Sequence, residues 1–301
     1  MKKVALITGV TGFIGGELAR RLLKDNWRVA IVVRSNSDLS TVADIHGVVG
    51  THVYDGTTES LFEIMRTVKP DVVFHLASLF LIDHVPEQVS ALINSNVTFG
   101  VQVLEAMAAC GVTNIVNAGT SWQNYHSDEY CAVNLYAATK QAFEDILNFY
   151  VDKYKMRSVT LKLFDTYGPS DKRRKLISLI VDTLKQSGEI GMSPGDQVID
   201  ISHVDDVVEH FVRAGLYCME SELAKSEVYF VSGERYTVKE LVRAVQLLIE
   251  SNATITYGGR PYRDREVMRL PTVECKTPPW NDEFRKRTLK EGVFSLLNGQ
   301  V

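Results

Sequence analysis

Residues 4–16 read VALITGVTGFIGG, and their reading decides the fold of this 301-residue chain. VALIT is a short apolar run rich in β-formers, and GELARRLLKD (16–25) sets Leu18, Leu22 and Leu23 at helical spacing. A strand, a tight turn and a helix are expected, with Gly9, Gly12 and Gly15 three residues apart in the turn. Glycine lets the backbone turn sharply and approach a pyrophosphate, whose charge the helix N-terminus stabilises through its free N–H groups. A glycine triplet alone can also be a structural turn; between a strand and a helix it reads as a dinucleotide cradle.

Working outward, WRVAIVVR (27–34), THVYD (51–55), DVVFHLAS (71–78), TNIVNAG (113–119) and SVTLKLFD (158–165) repeat the continuous apolar form of strands covered on both faces. Helical stretches separate most of them: SLFEIMRTVK (60–69), ALINSNVTFGVQVLEAMAAC (91–110) and LYAATKQAFEDILNFYVDKY (135–154). That alternation predicts an α/β fold with a parallel, doubly wound sheet. After YGP (167–169) the rhythm breaks into a basic run, DKRRK, a helix-like LISLIVDTLKQSG and loop-rich sequence. EVYFVSGERYTVKELVRAVQLLIE (227–250) returns to strand, turn and helix, with Thr237 and Glu240 as a capping box. We expect a first domain over residues 1–167 and a smaller one over 168–301, with the chain recrossing into the first near 200–220.

Hydrophobic residues at 45% and charged residues at 23% are ordinary globular values, which argues against disorder and a membrane protein. A net charge of −4 supplies no broad basic field, so neither nucleic acid nor an anionic membrane is expected as partner. Cys110, Cys131, Cys218 and Cys275 are scattered without C-x-x-C spacing, the pattern of reduced thiols in a cytoplasmic protein. Two lysines precede the first apolar run as in a signal peptide, but Thr8 and Gly9 cut that run short.

The end of the second strand selects the dinucleotide. An acid there hydrogen-bonds the ribose 2′-hydroxyl of NAD; this chain has Arg34 followed by Ser35, suited to the extra phosphate of NADP. NADP(H) is therefore favoured over NAD, the alternative being a surface arginine with Asp38 doing the acid's work. Asp55, ending the third strand, meets the adenine edge or caps the next helix. Downstream, AGTSWQNYHSDEYCAVNLYAATK (118–140) sets Tyr136 and Lys140 four apart on one helix face, after the strand-end hydroxyls Thr120 and Ser121. A lysine ammonium near the phenol would lower its pKa and make it a usable acid or base.

TGVTGFIG, HLAS, NLYAATK, LFDTYGP (163–169) and IDISHVDDVV (199–208) together resemble the extended short-chain dehydrogenase/reductase family that acts on nucleotide-linked sugars. The resemblance covers nearly the whole chain and is looser beyond about residue 210. It implies a Rossmann domain, a small C-terminal substrate domain, and a homodimer built on the helices before and after the fifth strand. It places Gly9, Thr11, Gly12, Phe13, Ile14, Gly15, Arg34, Ser35, Asp55, Gly56, Leu76, Ala77 and Ser78 on the cofactor, with Tyr136 and Lys140. It makes Ser121, four residues before Tyr125, the catalytic hydroxyl beside Tyr136 and Lys140, with Thr120 as the adjacent candidate. Thr120, Trp122, Gln123, Asp165, Lys175 and Arg263 fall toward a nucleotide-sugar substrate; Arg265 is an alternative to Arg263, and a solvated charge run is the rival for both.

Dehydratases of this family carry an acidic pair after the hydroxyl residue, where this chain has Trp122 and Gln123; an amide is no carboxylate acid or base. Trp122 is either a wall for the sugar or a core aromatic. The chain most resembles the family's 4-keto-6-deoxysugar reductases, the CDP-abequose and CDP-paratose synthases. A 4-epimerase retaining NAD and a non-catalytic cofactor-binding sensor are the alternatives. His75 reads as structural, and His203 lacks further ligands at metal-binding spacing.

Overall fold

The computed structural model describes residues 2–173, 175–186, 189–220, 224–272 and 276–299; Cys275 and Arg174 of the basic run lie outside the described residues. Strands β1 (Val4–Thr8), β2 (Arg28–Arg34), β3 (Gly50–Tyr54), β4 (Val72–His75), β5 (Asn114–Thr120) and β6 (Arg157–Leu163) alternate with helices. These are α1 (Phe13–Lys24), α2 (Thr58–Val68), α3 (Val89–Ile93), α4 (Phe99–Cys110) and α5 (Leu135–Tyr154). The chain then leaves through β7 (Asp165–Tyr167), α6 (Leu176–Lys185), β8 (Glu189–Met192) and β9 (Val198–His203). It returns with α7 (Val204–Glu220) and β10 (Ser226–Val231), which pairs parallel with β6. The main sheet has seven parallel strands in the order β10-β6-β5-β4-β1-β2-β3, a Rossmann-like arrangement.

Both faces of that sheet are covered, which is why its strands are continuously apolar. Ala5 and Ile7 pack with Leu18, Leu22 and Phe211, whereas Leu6 between them packs with Leu61, Leu104 and Phe143 on the other face. Each fully buried Leu, Ile or Phe among them contributes about 1.5–3 kcal/mol. Gly215 of α7 lets the helix sit on the sheet, since a Cβ there would lie 2.6 Å from the Phe74 ring. The described helices include none long and apolar enough to cross a membrane.

Two segments differ from the simple reading. The run 91–110, read as one helix, starts at Val89 and carries a π-helical turn at Asn94–Thr98. That turn seats the buried Asn96, whose side chain bonds Leu79 N at 2.7 Å and Thr139 Oγ1 at 2.9 Å. The run 158–165 is two strands: β6 ends at Leu163, and β7 belongs to a second sheet with β9 and β11 (Glu234–Thr237). The chain changes sheets at Phe164 because its partners change from β5 to β9.

The smaller lobe is completed by α8 (Val238–Ile249), capped by Thr237 and Glu240, by β12 (Thr254–Tyr257) paired with β8, and by α9 (Leu289–Asn298). Ile180, Leu184, Leu241, Val245 and Val293 form its core. Before α9 the chain reaches back to α7. Trp280 is buried between Tyr217 and Tyr229 and its indole N–H donates to His210 Nδ1 at 3.2 Å. Arg213 pairs with Glu283 at 2.5 Å, and the backbone of Arg287 donates to Asp206 at 2.9 Å. Trp280→Ala should therefore cost about 3–5 kcal/mol in urea unfolding; an unchanged midpoint would show that this segment does not fasten the lobes.

Candidate active site

The C-terminal ends of β1 and β4 meet at the glycine turn. Gly9 has a left-handed φ of 76°, and a Cβ on it would lie 2.5 Å from Ala77 N and 2.6 Å from Leu76 C. A Cβ on Gly15 would lie 2.3 Å from Gly9 O, so α1 starts directly against the turn. Gly12 precedes α1 with no side chain to cap it, and Gly12, Phe13, Ile14 and Gly15 line a cavity of about 220 Å³. Uncapped N–H groups at the mouth of a cavity suit a diphosphate. Thr8 Oγ1 fixes the strand ends, accepting from Ala77 N at 3.2 Å and bonding His75 Nδ1 at 3.0 Å. His75 is buried, and that burial lowers its imidazole to about 3, which keeps it neutral and structural.

The same cavity ends at Tyr136 and Lys140. Asn134 caps α5 by accepting from Ala137 N at 3.0 Å, which places Tyr136 in the first turn and Lys140 one turn on. Burial pushes the Tyr136 phenol up to about 12, against the opposing hydrogen bonds of Ser78 and Thr120 and the charge of Arg173. The lowering by Lys140 expected from spacing is not among these influences: burial dominates, and the groups nearest the phenol are hydroxyls. Lys140 is 2% exposed, and burial lowers its ammonium to about 8 while Glu144 opposes the shift. The phenol is thus held protonated, and the lysine is mostly charged at neutral pH with its midpoint in the mildly alkaline range.

Thr120 and Ser121 both line the small cavity with Tyr136, and Thr120 Oγ1 accepts from Trp122 N at 3.3 Å. Ser121 opens a single 3₁₀ turn, Ser121–Gln123, and sits where the small cavity joins a larger one of about 790 Å³. Phe80, Trp122, Phe164, Asp165 and Lys175 also line both. Trp122 is therefore on the wall and not in the core. The sequence did not single out Phe80, whose ring stands edge-on to Tyr136 at 5.0 Å and 5.6 Å from Trp122. Lys175 Nζ lies 3.4 Å from Asp165 Oδ1, at the seam between the lobes.

Gln123 does not reach either cavity. It is fully buried, accepts from Thr120 N at 3.0 Å, and donates to Gln141 Oε1 at 2.8 Å and Glu144 Oε2 at 2.9 Å. The 3₁₀ turn directs its side chain inward, which corrects its expected place at the substrate. Arg263 lies on the large cavity, paired with Glu266 through bonds of 3.0 and 3.2 Å. Arg265 acts as a staple, donating to Val133 O at 2.8 Å and Ala132 O at 2.9 Å and lying over the Tyr125 ring. Arg260, which sequence reasoning passed over, also lines the large cavity and has no carboxylate partner among the described residues.

At the other end, Arg34 and Ser35 are exposed where β2 stops, and neither lines the cavity. Asp55 does not cap α2 itself: Thr57 is the cap, accepting from Ser60 N, and Asp55 holds it by accepting from Thr57 N at 2.9 Å and Thr57 Oγ1 at 2.6 Å; Gly56 lies in the same exposed turn. Thr11 accepts through its carbonyl from Thr41 Oγ1 at 3.3 Å, outside the cavity, and Ala77 contributes its backbone against Gly9. Leu76 and Ser78 do line it. Within the basic run, Arg173 is exposed yet has partners: it lies over the Phe13 ring at 5.4 Å, lines the same cavity and pairs with Asp171 at 2.7 Å.

Curated relatives include the CDP-abequose synthase of Yersinia pseudotuberculosis, 28% identical over 97% of this chain and 98% of that protein. Another, from Salmonella muenchen, is 23% identical over 99% of this chain and 98% of its own. Among solved structures, the UDP-glucose 4-epimerase of Thermotoga maritima with UDP-glucose matches with a TM-score of 0.82 at 19% identity, over 99% and 98% of the two chains. DesIV, the dTDP-glucose 4,6-dehydratase of Streptomyces venezuelae, matches with a TM-score of 0.81 at 19% identity, over 98% and 96%. Residues 5–223, from the first strand through the return of α7, match the NAD dependent epimerase/dehydratase family model. The glycine turn and the Tyr136–Lys140 helix fall within that stretch, and the chain belongs to this family.

Proposed function

We propose that the protein reduces the C4 keto group of a nucleotide-linked 4-keto-6-deoxy or 3,6-dideoxy hexose with NADPH. The turn after β5 carries this reading. Where the family's dehydratases have an acidic pair, Trp122 walls the cavity and Gln123 is turned into the core. No acid from this turn stands ready for elimination of water, and Phe80 and Trp122 offer an apolar wall suited to a methyl-bearing deoxysugar. A phenol held at about 12 is loaded as an acid at neutral pH, which is the state that ketone reduction requires.

Bound NADPH supplies the hydride. Tyr136 donates its proton to the alkoxide forming at C4, and Thr120 and Ser121 hydrogen-bond that oxygen. Lys140 holds the cofactor ribose from the cavity floor. Residues 1–167 with the returning α7 and β10 hold the cofactor, and 168–301 hold the nucleotide end, where Arg260, Arg263 and Lys175 suit a diphosphate. The likeness to CDP-abequose synthases supports a deoxysugar substrate. Arg34 supports NADPH over NADH because an acid at that place would repel the 2′-phosphate, and Lys172 acts on nearby Asp38. Exposed Phe149 on α5 and Ile93 beside α4 support a homodimer on that face, and we place the enzyme in the cytoplasm. The likeness to UDP-glucose 4-epimerases favours a second reading, a 4-epimerase that keeps its NAD.

Given NADPH and a panel of nucleotide 4-keto-6-deoxysugars, the protein should oxidise the cofactor in step with one of them. NAD retained through purification, with epimers interconverted and no net oxidation, would support the epimerase instead. Tyr136→Phe should leave thermal stability and NADPH affinity unchanged and lower kcat by about 10²–10⁴-fold; full activity would remove Tyr136 from the chemistry. Arg34→Asp should weaken NADPH by about tenfold or more and NADH far less, read by fluorescence titration. Equal weakening of both would contradict the 2′-phosphate role.

A further inference from the structure

Beneath the reacting cluster lies a buried polar network that none of the steps above uses. Gln123, Asn124, Glu144 and Lys162 are each no more than 7% exposed. They converge on one carboxylate. Glu144 accepts from Gln123 Nε2 at 2.9 Å and lies 3.8 Å from Lys162 Nζ, which in turn donates to Asn124 Oδ1 at 3.2 Å. Gln123 ties the same group to the backbone N–H of Thr120, so the network joins the end of β5 to α5 and β6.

Lys140 is four residues before Glu144 on α5, on the same helix face. An ammonium buried to that degree is costly to keep charged unless an opposite charge lies close by. We propose that Glu144 is a positioning residue: its carboxylate, held in place by Gln123 and contested by the Lys162 cation, keeps Lys140 charged in the cofactor cavity, while Gln123 ties it to the end of β5. This rests on the reading of Tyr136 and Lys140 as the proton-transfer pair.

The groups around Lys140 make the effect readable. From β4, His75 is neutral, with burial lowering it to about 3; on α5, Tyr136 is protonated, with burial raising it to about 12. From β6, Lys162 reaches Glu144 and is itself faced by Asp145 and Lys276, and Arg173 acts on Tyr136 from the 171–175 segment. Lys140, drawn down to about 8 by burial, titrates within the working range, with Glu144 holding it up. A charged Lys140 favours the dinucleotide, so binding should weaken as pH rises through its midpoint. Without the Glu144 charge the midpoint falls; without the competing Lys162 cation it rises.

The test is the Kd of NADPH by fluorescence from about pH 7 to about pH 10, which needs no sugar substrate. Glu144→Gln should move the midpoint down by about one pH unit or more, Glu144→Asp should restore part of that shift, and Lys162→Met should move it up. A midpoint unmoved in Glu144→Gln, or moved the same way in Glu144→Gln and Lys162→Met, would overturn the proposal. Should Glu144→Gln not fold, Lys162→Met decides: an upward shift supports the role, and an unmoved or lowered midpoint ends it. Lys140→Met separates the two readings. If it keeps the wild-type profile, Lys140 itself is misassigned; if it flattens the profile while Glu144→Gln does not shift it, only the role of Glu144 fails.

Discussion

The α-carbon of Gly9 lies against the Leu76–Ala77 peptide, where a Cβ would be 2.5 Å from Ala77 N. Only glycine fits there, and much of the site depends on it. The contact draws the end of β1 to the segment leaving β4, and Thr8 secures it with bonds to Ala77 and His75. The chain then carries Ser78 to the Tyr136 phenol, while Asn96 holds Ser78 and Leu79 from the π-helical turn and reaches Thr139 on α5. A backbone approach made for phosphates therefore also sets the groups that surround the reacting phenol.

Charge and burial then divide the labour. The phenol is surrounded by hydroxyls and kept protonated by burial, whereas the lysine beside it has a buried carboxylate one turn away. An acid kept loaded and a cation kept available are what reduction of a ketone needs. Oxidation of an alcohol would call for the opposite state of the phenol. Phe80, in edge contact with Tyr136, closes the site on the side where the two cavities join.

Much of the main sheet was legible in the sequence because its strands are buried on both faces and read as apolar runs. The bounds of α5, Leu135–Tyr154, match the expected stretch to the residue. The glycine turn and the Tyr136–Lys140 spacing were visible because they are local. What depends on tertiary partners was not. The sheet change at Phe164 leaves no mark in an apolar run that continues across it. The inward turn of Gln123 requires Gln141 and Glu144, which lie on another element. Asn96 did not stand out, since Asn94, Ser95 and Thr98 surround it in the same stretch; Arg173 was marked only as part of a basic run, and Phe80 and Arg260 offered no signal, being single residues in loops.

Hydride transfer from the cofactor to C4 of the sugar, with Tyr136 as the acid, is tested most directly by isotope. NADPH carrying deuterium at both C4 positions of its nicotinamide is supplied with the nucleotide 4-ketosugar that supports cofactor oxidation, and the product is examined by NMR. Reduction as described places deuterium at C4 of the sugar, in equal amount to the NADPH consumed. A product inverted at C4 without deuterium, and with the cofactor unconsumed, would contradict it.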